Sequence, residues 1–457
     1  NFGDLVRAQE QIASGKRILR PSDDPVGAAQ AAALRGKLAA QDRYREAIES
    51  GRNRLDTASA ALQDTSTLLA EARALTLEGM NGVLSQKDRD LIAGQLDLIR
   101  LELIDISNRQ LGQRYLFGGT ATGSAPFASA TVGGRQTVVY TGNGEQQDLV
   151  VGKGTVLGAN LPGSEIFARV NRTGTEFGGL TGAAAGTSPD LGTGYDYLEL
   201  RHDGTSATFT SGVALASGGA LDTILGAHSL VIDAAAGTVQ LDGGAPVALP
   251  APGDPDVADF VVRNAEGAEV HLDFTAFNGT SETVALAGAG SISLDGTNWT
   301  ALDFVATDLE LTDPATGAVV HVDTTGIHRA GSELIVFGGA INVFDDLQAI
   351  AETLRKPDGV APAELGARLG ILLGELDRSH DDVISGMGVL GSRSSRLTSM
   401  DEALEESDTM LRTLLSNVED VDFDEVVLDM TRAEQTLQLT QAAGARLLQT
   451  SLLNFIR

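Results

Sequence analysis

The feature that most constrains the fold is a stripe of apolar and small residues near the start of the chain. Between Ile48 and Ala72 these residues recur at alternating steps of three and four positions. Such spacing keeps one face of an α-helix apolar along its length, as in a coiled coil or a helical bundle. A long helix of this kind needs a partner that covers its stripe. The stripe consists of Ile48, Gly51, Leu55, Ala58, Leu62, Thr65, Leu69 and Ala72.

Two helices are predicted in this first segment. The first runs from about Ala40 to Glu78 and ends at the sequence GMNG, because glycine and asparagine suit a left-handed C-terminal cap. A second helix follows, since a further stripe shows the same three-and-four spacing. That second stripe consists of Ile92, Leu96, Ile99, Leu103 and Ile106.

The last segment of the chain has the same character. Helices are predicted for residues 342–354 and from Ala363 onward, separated by the sequence KPDGVAP. After the acidic sequence EDVDFDE, a closing helix is predicted from Val426 to about Phe455. The most economical partners for these helices are those at the other end of the same chain. We therefore expect the two ends of the chain to run side by side.

The middle of the chain is predicted to be β-structure. Residues 118–339 contain 37 of the 54 glycines but only 7 of the 33 lysine and arginine residues. Short runs such as FVVRNAEGAEVHLDF and LELTDPATGAVVHVD are bounded by turn-forming residues, which is typical of β-hairpins. The hairpins resemble one another, but no regular period indicates a solenoid or a propeller.

The predicted fold class is a multidomain α+β protein, in which long helices from both ends pair in a coiled-coil-like bundle. Gly-rich all-β domains are inserted between these helices. Residues 1–117 form the N-terminal helical part, and residues 341–457 form the C-terminal part that pairs with it. Residues 118–175 form a first β module with 326–340 as its returning strand, and residues 176–325 form a second, outer β module.

The composition excludes several classes of function. The net charge of −29 argues against nucleic acid as a partner, because such proteins need a basic face. The chain has no cysteine, so disulfides, thiol catalysis and thiolate metal sites are all excluded. No apolar run approaches the length that membrane insertion requires, and no signal peptide is visible in this sequence, which begins at Asn1.

The sequence SGKRILRPSDDPVGAAQ, residues 14–30, is the most unusual local stretch. It is not a phosphate-binding loop, because the upstream glycine and the Ser/Thr after Lys16 are both missing. We interpret it as a break between two helices, with Lys16, Arg17 and Arg20 near the negative pole of the first helix. Asp24 is an N-cap before a proline at the first position of the second helix, and Asp23 adds charge there. The predicted break signature is Arg17, Pro21, Asp23, Asp24 and Pro25.

Two further motifs could indicate chemistry, and neither completes its pattern. EDVDFDE begins like a calcium-binding loop, but Glu425 and Thr431 occupy the positions that require Gly and Glu, so we interpret it as an acidic turn or cap. GKGTVLG, residues 152–158, lacks a following helix and is interpreted as a β-turn. The six histidines show no metal-binding spacing. The sequence therefore indicates no catalytic residue, no metal site and no cofactor, although distant carboxylates could still meet in the fold.

Both ends of the chain resemble the conserved ends of bacterial flagellins and, more closely, the hook–filament junction branch of that superfamily. QIASGKRILRPSDDPVGAAQAAALR is similar to the N-terminal signature, in which a helix ends at SGKRI and restarts after DDP. RYLFGGT, residues 114–120, is similar to the element with which the junction branch leaves its helical part. The closing sequence SLLNFI also suits that branch. The resemblance covers residues 1–120 and 340–457.

The resemblance implies a structural, non-enzymatic subunit of the bacterial flagellum, an adaptor at the junction between hook and filament. It implies an extracellular position after type III export, with an export chaperone that binds the chain beforehand. The implied partners are hook-associated protein 1, flagellin, and copies of the chain itself in a ring of about eleven subunits. Two alternatives stay open, namely the filament subunit flagellin itself and a secreted β-rich adhesin on a helical stalk.

The closing helix carries the predicted assembly interface. Burying an apolar stripe stabilises a structure by about 25 cal/mol per Å², but only when another surface covers the stripe. From the residues alone, packing inside a monomeric bundle and contact with neighbouring subunits fit this stripe equally well, and the resemblance favours the neighbours. The predicted interface consists of Met430, Ala433, Leu437, Leu447, Leu448, Leu452, Leu453 and Phe455.

Overall fold

The computed structural model describes residues 2–355 and 362–455, and the side chains of residues 447–455 lie outside this description. The chain forms two compact units. Unit 1 comprises Asn1–Leu55, Asp148–Ala159 and Ser392–Arg457, and unit 2 comprises Asp56–Gln147 and Asn160–Gly391.

Six α-helices lie in the described ranges, and the two longest, α2 and α5, each contribute to both units. α2 is longer than the sequence predicts, because residues 25–39 continue the helix without a break, whereas α5 begins at Pro362, next to the predicted start at Ala363. The predicted break KPDGVAP falls largely on residues outside the description. The helices are α1 (Phe2–Ser14), α2 (Pro25–Gly79), α3 (Gln86–Ser107), α4 (Val343–Arg355), α5 (Pro362–Glu419) and α6 (Phe423–Phe455).

Twenty β-strands occupy the middle of the chain, where the sequence predicts hairpins. They are β1 (Gln110–Leu111), β2 (Arg114–Tyr115), β3 (Phe127–Val132), β4 (Arg135–Tyr140), β5 (Asp148–Gly152), β6 (Thr155–Gly158), β7 (Thr175–Gly178), β8 (Ala184–Ala185), β9 (Tyr195–Ala207), β10 (Ala214–Leu215), β11 (Gly226–Asp233), β12 (Thr238–Leu241), β13 (Val247–Ala248), β14 (Phe260–Arg263), β15 (Glu269–Asp273), β16 (Glu282–Ser293), β17 (Thr300–Ala301), β18 (Leu309–Thr312), β19 (Val319–Asp323) and β20 (Gly331–Phe337).

The paired helices from the two ends of the chain confirm the predicted fold class. Every residue of the α2 stripe is buried, as the three-and-four spacing predicts. Within unit 1, the Gln41 amide donates to Ser407 Oγ over 2.6 Å, which joins α2 to α5. Within unit 2 the same two helices are joined where Arg73 Nε lies 2.7 Å from Asp377 Oδ1.

The β5–β6 hairpin belongs to the helical unit 1, which the sequence does not predict. It packs on α2 at Gly51, where a Cβ atom would lie 2.6 Å from Leu149 Cδ2 and 3.3 Å from Leu397 Cδ1. The turn of this hairpin includes Gly154 with a φ of +78°, so the motif GKGTVLG is a β-turn, as predicted.

The largest sheet of unit 2 has eight strands, in the order β13-β12-β11-β16-β9-β20-β7 with β17 paired to β16. Two three-stranded sheets, β10-β15-β14 and β8-β19-β18, accompany it. Residues 331–337, within the segment expected to return to the first β module, form β20 between β9 and β7. The predicted division of the β region into two modules remains a prediction.

One structural repeat occurs twice in these sheets, and one copy is nested inside the other. The first repeat comprises residues 181–201 and 305–337, and the second repeat, residues 211–286, lies between its two halves. Both contain a similar sequence, GAVVHVDTT at 317–325 and GAEVHLDFT at 267–275. β8 pairs with β19 in the first repeat, and β10 pairs with β15 in the same way in the second.

The two repeats also contain equivalent hydrogen bonds. The backbone N–H of His321 donates to Asp190 Oδ1 over 2.7 Å, and the N–H of His271 donates to Asp222 Oδ1 over the same distance. Most buried apolar residues of the two repeats fall into two separate clusters, although Leu225 of the second repeat belongs to the cluster of the first. Equivalent members of the two clusters are Ala183 and Val213, Leu198 and Leu230, Leu200 and Ile232, Val320 and Val270, and Val322 and Leu272.

Candidate functional site: the paired helix breaks

The two predicted helix breaks of unit 1 lie side by side. Lys16 and Asp420 form an isolated antiparallel β-bridge. The Arg17 N–H donates to the Glu419 carbonyl over 2.7 Å, and the Val421 N–H donates to the Gly15 carbonyl over 3.1 Å. Gly15 has a φ of +67°, a conformation that favours glycine, so SGKRI has its glycine where the chain leaves α1.

The basic residues of the first break bind the acidic end of α5. Lys16 Nζ lies 2.8 Å from Asp420 Oδ1 and 3.5 Å from Glu419 Oε1. The hydrogen bond with Asp420 raises the pKa of Lys16, and the same bond lowers the pKa of Asp420. Arg35 of α2 also contacts Glu419, whose side chain is almost fully buried.

The structure adds a role to the one expected for Lys16 and Arg17. The sequence places them at the negative pole of α1, whereas the structure pairs Lys16 with the second break. Arg17 donates to Asp24 and to the Val418 carbonyl, at 3.1 and 2.8 Å. Lys16 and Arg17 therefore join two distant segments, through the Asp420 carboxylate and the Val418 carbonyl, whereas Arg20 lies 3.8 Å from Glu10 of α1.

The cap of the first break follows the prediction, and the neighbouring Asp23 also accepts hydrogen bonds within the break. Asp24 Oδ1 accepts the Gly27 N–H over 2.9 Å, so Asp24 is the N-cap of α2, and this bond lowers its pKa. Pro25 is the first residue of α2. Asp23 accepts from Arg20 and Leu19 backbone N–H groups, and the Arg20 bond lowers its pKa. Asp23 thus closes the turn around the exposed Pro21.

The acidic sequence of the second break acts as a cap, as predicted. Asp422 Oδ1 accepts from the N–H groups of Asp424 and Glu425, at 3.0 and 3.3 Å, and so begins α6. No group of three or more His, Asp or Glu side chains in the described ranges could hold a metal ion. None of the helices described is long and apolar enough to cross a membrane.

The paired breaks place α1 against α6, and the core of this helix pair is small. Ala8, Val421 and Val426 are buried there, with Ile12 and Met430 packed against them. Of the predicted assembly residues, Met430, Ala433 and Leu437 are half-buried. The side chains of Leu447, Leu448, Leu452, Leu453 and Phe455 lie outside the described residues.

Much of the apolar surface of this helix pair is still open to solvent. Leu428 and Leu439 of α6 are 57% and 70% exposed, and they are eleven positions apart, about three helical turns. They therefore lie on one face of α6, and the half-buried Leu437 lies on another. Phe423 and Val427 near the start of α6 are also exposed, as is Phe2 of α1. The sequence analysis did not identify Leu428 and Leu439, because they lie on a different face of α6 from the apolar stripe that contains Met430.

Both helical ends of the chain match the descriptions of known protein families. Residues 1–122 match the family description "Bacterial flagellin N-terminal helical region", and residues 373–456 match "Bacterial flagellin C-terminal helical region". The first match includes the first helix break, and the second match includes the second helix break. The resemblance of the two ends to the flagellin superfamily is therefore confirmed.

Among individual proteins, the chain is similar to flagellar hook-associated protein 3. It is 34% identical to that protein from Salmonella typhimurium LT2 over 131 residues, which are 28% of this chain and 41% of the relative. It is 30% identical to that of Escherichia coli K12 over 139 residues, 30% of this chain and 44% of the relative. A crystal structure of FlgL from Xanthomonas campestris, 22% identical, superposes with a TM-score of 0.46 and covers 83% of this chain and 99% of that one. The chain spans less than half the length of the two curated relatives.

Proposed function

We propose that the chain is a structural subunit of the bacterial flagellum that joins the hook to the filament. The observation that carries the proposal is the α1–α6 pair, whose apolar surface the chain covers only in part. Contacts with neighbouring subunits would cover the remainder, and head-to-tail contacts of this kind generate rings or helices rather than closed dimers. The proposed role is one of assembly and requires neither a cofactor nor a reaction.

The proposed neighbours are hook-associated protein 1 on one side, flagellin on the other, and copies of the chain in a ring of about eleven. The name of the two hook-associated relatives supports a position next to the hook. The proposed location is extracellular, after export with a chaperone. In this arrangement the paired helical ends lie in the axial part and the nested β repeats are free of the assembly contacts.

The proposal can be tested in the source bacterium by deleting the gene and examining the flagella by electron microscopy. We expect hooks without filaments and flagellin released into the medium, with normal filaments restored by the wild-type gene. Leu439→Asp should fail to restore filaments, whereas Gln438→Asp, which adds the same charge to the neighbouring exposed position, should restore them. Filaments of normal number and length after deletion would contradict the proposal.

Flagellin itself is the second candidate, because the two family matches are to flagellin regions. Purified protein added to short filament seeds separates the two functions. A filament subunit extends the seeds into long filaments, whereas an adaptor does not.

A further inference from the structure

The nested repeats of unit 2 differ at one edge. In the second repeat, residues 328–330 lie along residues 223–225, with an antiparallel bridge between Ile224 and Arg329. The Leu225 N–H donates to the His328 carbonyl over 2.9 Å, and the Ala330 N–H donates to the Thr223 carbonyl over 2.7 Å. An extended segment therefore covers this edge.

The equivalent edge of the first repeat is residues 191–193, because Asp190 and Asp222 occupy the same position in the two repeats. Leu191 pairs with Val319 of β19, but no strand of the described chain lies along Gly192 and Thr193. The guanidinium of Arg172 donates there instead, to the Asp190 carbonyl over 3.1 Å and to the Gly192 carbonyl. An arginine side chain thus occupies the side that a strand covers in the second repeat.

This edge lines a groove of about 550 Å³, which we name the repeat-edge groove. Three apolar side chains on it are unusually open to solvent, with Leu191 61% and Val170 63% exposed and Val132 44% exposed. Residues 132–140, 168–172, 191–196, 316–318 and 337–345 supply its lining.

Arginine is concentrated at the repeat-edge groove of a strongly acidic protein. Residues 118–339 contain 25 Asp and Glu but only seven Lys and Arg, and three of those seven, Arg135, Arg169 and Arg172, line the groove. The carboxylates that line it are Asp196 and Asp345. Asp196 is bound to Arg135, and Asp345 accepts the Val138 N–H over 3.2 Å. Arg169 is bound to Asp382 of α5 over 2.6 Å. Arg172 forms no ion pair among the described residues, so its guanidinium is the cation of the groove that stays available to a negatively charged group.

We propose that the repeat-edge groove binds an extended acidic segment of another protein, in which carboxylates alternate with apolar side chains. The covered edge of the second repeat shows that this position accepts an extended chain. A carboxylate of the segment would accept charge-assisted hydrogen bonds from Arg172. Its apolar side chains would cover Leu191 and Val170, because successive side chains of an extended chain point to opposite faces.

The inference is independent of the proposed flagellar role and is tested on the purified full chain. The probe is a fluorescein-labelled peptide of about eight residues, in which valine and aspartate alternate, titrated in fluorescence anisotropy. We expect saturable binding that weakens as the salt concentration rises, because exposed charges are screened. A peptide with lysine in place of aspartate should not bind.

Arg172→Glu and Leu191→Asp should each weaken binding at least about tenfold, a change of 1.4 kcal/mol. Arg263→Glu is the matched control, because Arg263 is an exposed arginine of the second repeat outside the groove. Its binding should equal that of the wild type, and circular dichroism should show each variant folded. Equal binding of the lysine peptide, an unchanged affinity of Arg172→Glu, or no saturable binding would overturn the inference. Self-association of the chain that Leu191→Asp abolishes would assign the groove to a second copy and would also overturn it.

Discussion

The Nζ atom of Lys16 lies 2.8 Å from the Oδ1 atom of Asp420, although 404 positions separate the two residues in the chain. This ion pair and the backbone bridge beside it hold the first helix break against the last. As a result, α1 does not continue into α2 as one helix, and it packs on α6. The helices α1 and α6 therefore form a pair that is joined at the two helix breaks.

Reversing one charge of this pair should destabilise unit 1. Lys16→Glu places three carboxylates together with Glu419 and Asp420, and we expect a lower midpoint of thermal unfolding in circular dichroism. The loss should be about 0.5–1 kcal/mol, because the pair is partly exposed and water screens it. The double variant Lys16→Glu/Asp420→Lys should regain most of the loss. Equal stability of the single and double variants would count against the pairing.

The stabilisation by this ion pair should depend on pH. The pKa of Asp420 is below its ordinary value of 3.8, so its contribution is present above about pH 4 and is lost as the pH falls through the lowered pKa. The pKa of Lys16 is above its ordinary value of 10.5, so its contribution persists up to that pH. Arg432→Glu is the control for this pH dependence. Among the ion pairs of the described residues, Arg432 pairs only with Asp429 of the same helix.

Asp346 of α4 should destabilise unit 2 at neutral pH. It is fully buried, and neither carboxylate oxygen has a hydrogen-bond partner in the described ranges. Burial raises its pKa well above 3.8, and the nearby Glu375 and Asp345 raise it further, against a smaller opposing effect of Arg378. Because the folded state retains the proton, the stability from this group falls as the pH rises through the raised pKa.

Asp346→Asn should therefore increase the free energy of unfolding at pH 8 by about 1–3 kcal/mol and change it less at pH 4. Urea unfolding at both pH values measures the difference. Asp381→Asn, at an exposed position of α5, should have no such effect. A variant at position 346 that is less stable than the wild type at pH 8 would contradict the account.

The two nested repeats should respond independently to changes in their cores. Leu198 and Leu230 are fully buried at equivalent positions of the two clusters, and replacing either with alanine should cost about 2–5 kcal/mol. Because the clusters are separate, the double variant should show the sum of the two losses within about 0.5 kcal/mol. Chemical unfolding gives all three values, and a coupling energy above about 1 kcal/mol would mean a shared core.

The end of α6 should be needed for assembly but not for the fold of the β region. A chain that lacks residues 449–457 should keep the circular dichroism signal of the nested repeats and their unfolding transition. The same truncation should abolish incorporation into flagella, because the truncated residues include part of the predicted interface. Swarming on soft agar measures the second effect, and motility equal to that of the wild type would refute it.

The features of this fold that depend on residues close together in the sequence were predicted well. The stripe from Ile48 to Ala72, the cap at Asp24 and the acidic cap at Asp422 each depend on neighbours a few positions away, so the sequence alone indicates them. The pairing of Lys16 with Asp420 depends on which distant segments meet, and only the opposite charges of the two breaks hint at it.

The nesting of the repeats escaped prediction for a related reason. Thr181 precedes its counterpart Ser211 by 30 positions, whereas His321 follows its counterpart His271 by 50. The offset changes both its size and its direction because one copy is inserted in the other. A search for a fixed period therefore finds similar hairpins without finding the repeat.

We propose that this chain lies at one place in the flagellum, between hook and filament. Immunogold electron microscopy of isolated flagella, with an antibody against residues 211–286, tests it most directly. The account predicts gold particles in a single narrow band where the hook meets the filament. Gold along the whole filament, or flagella without any label, would contradict it.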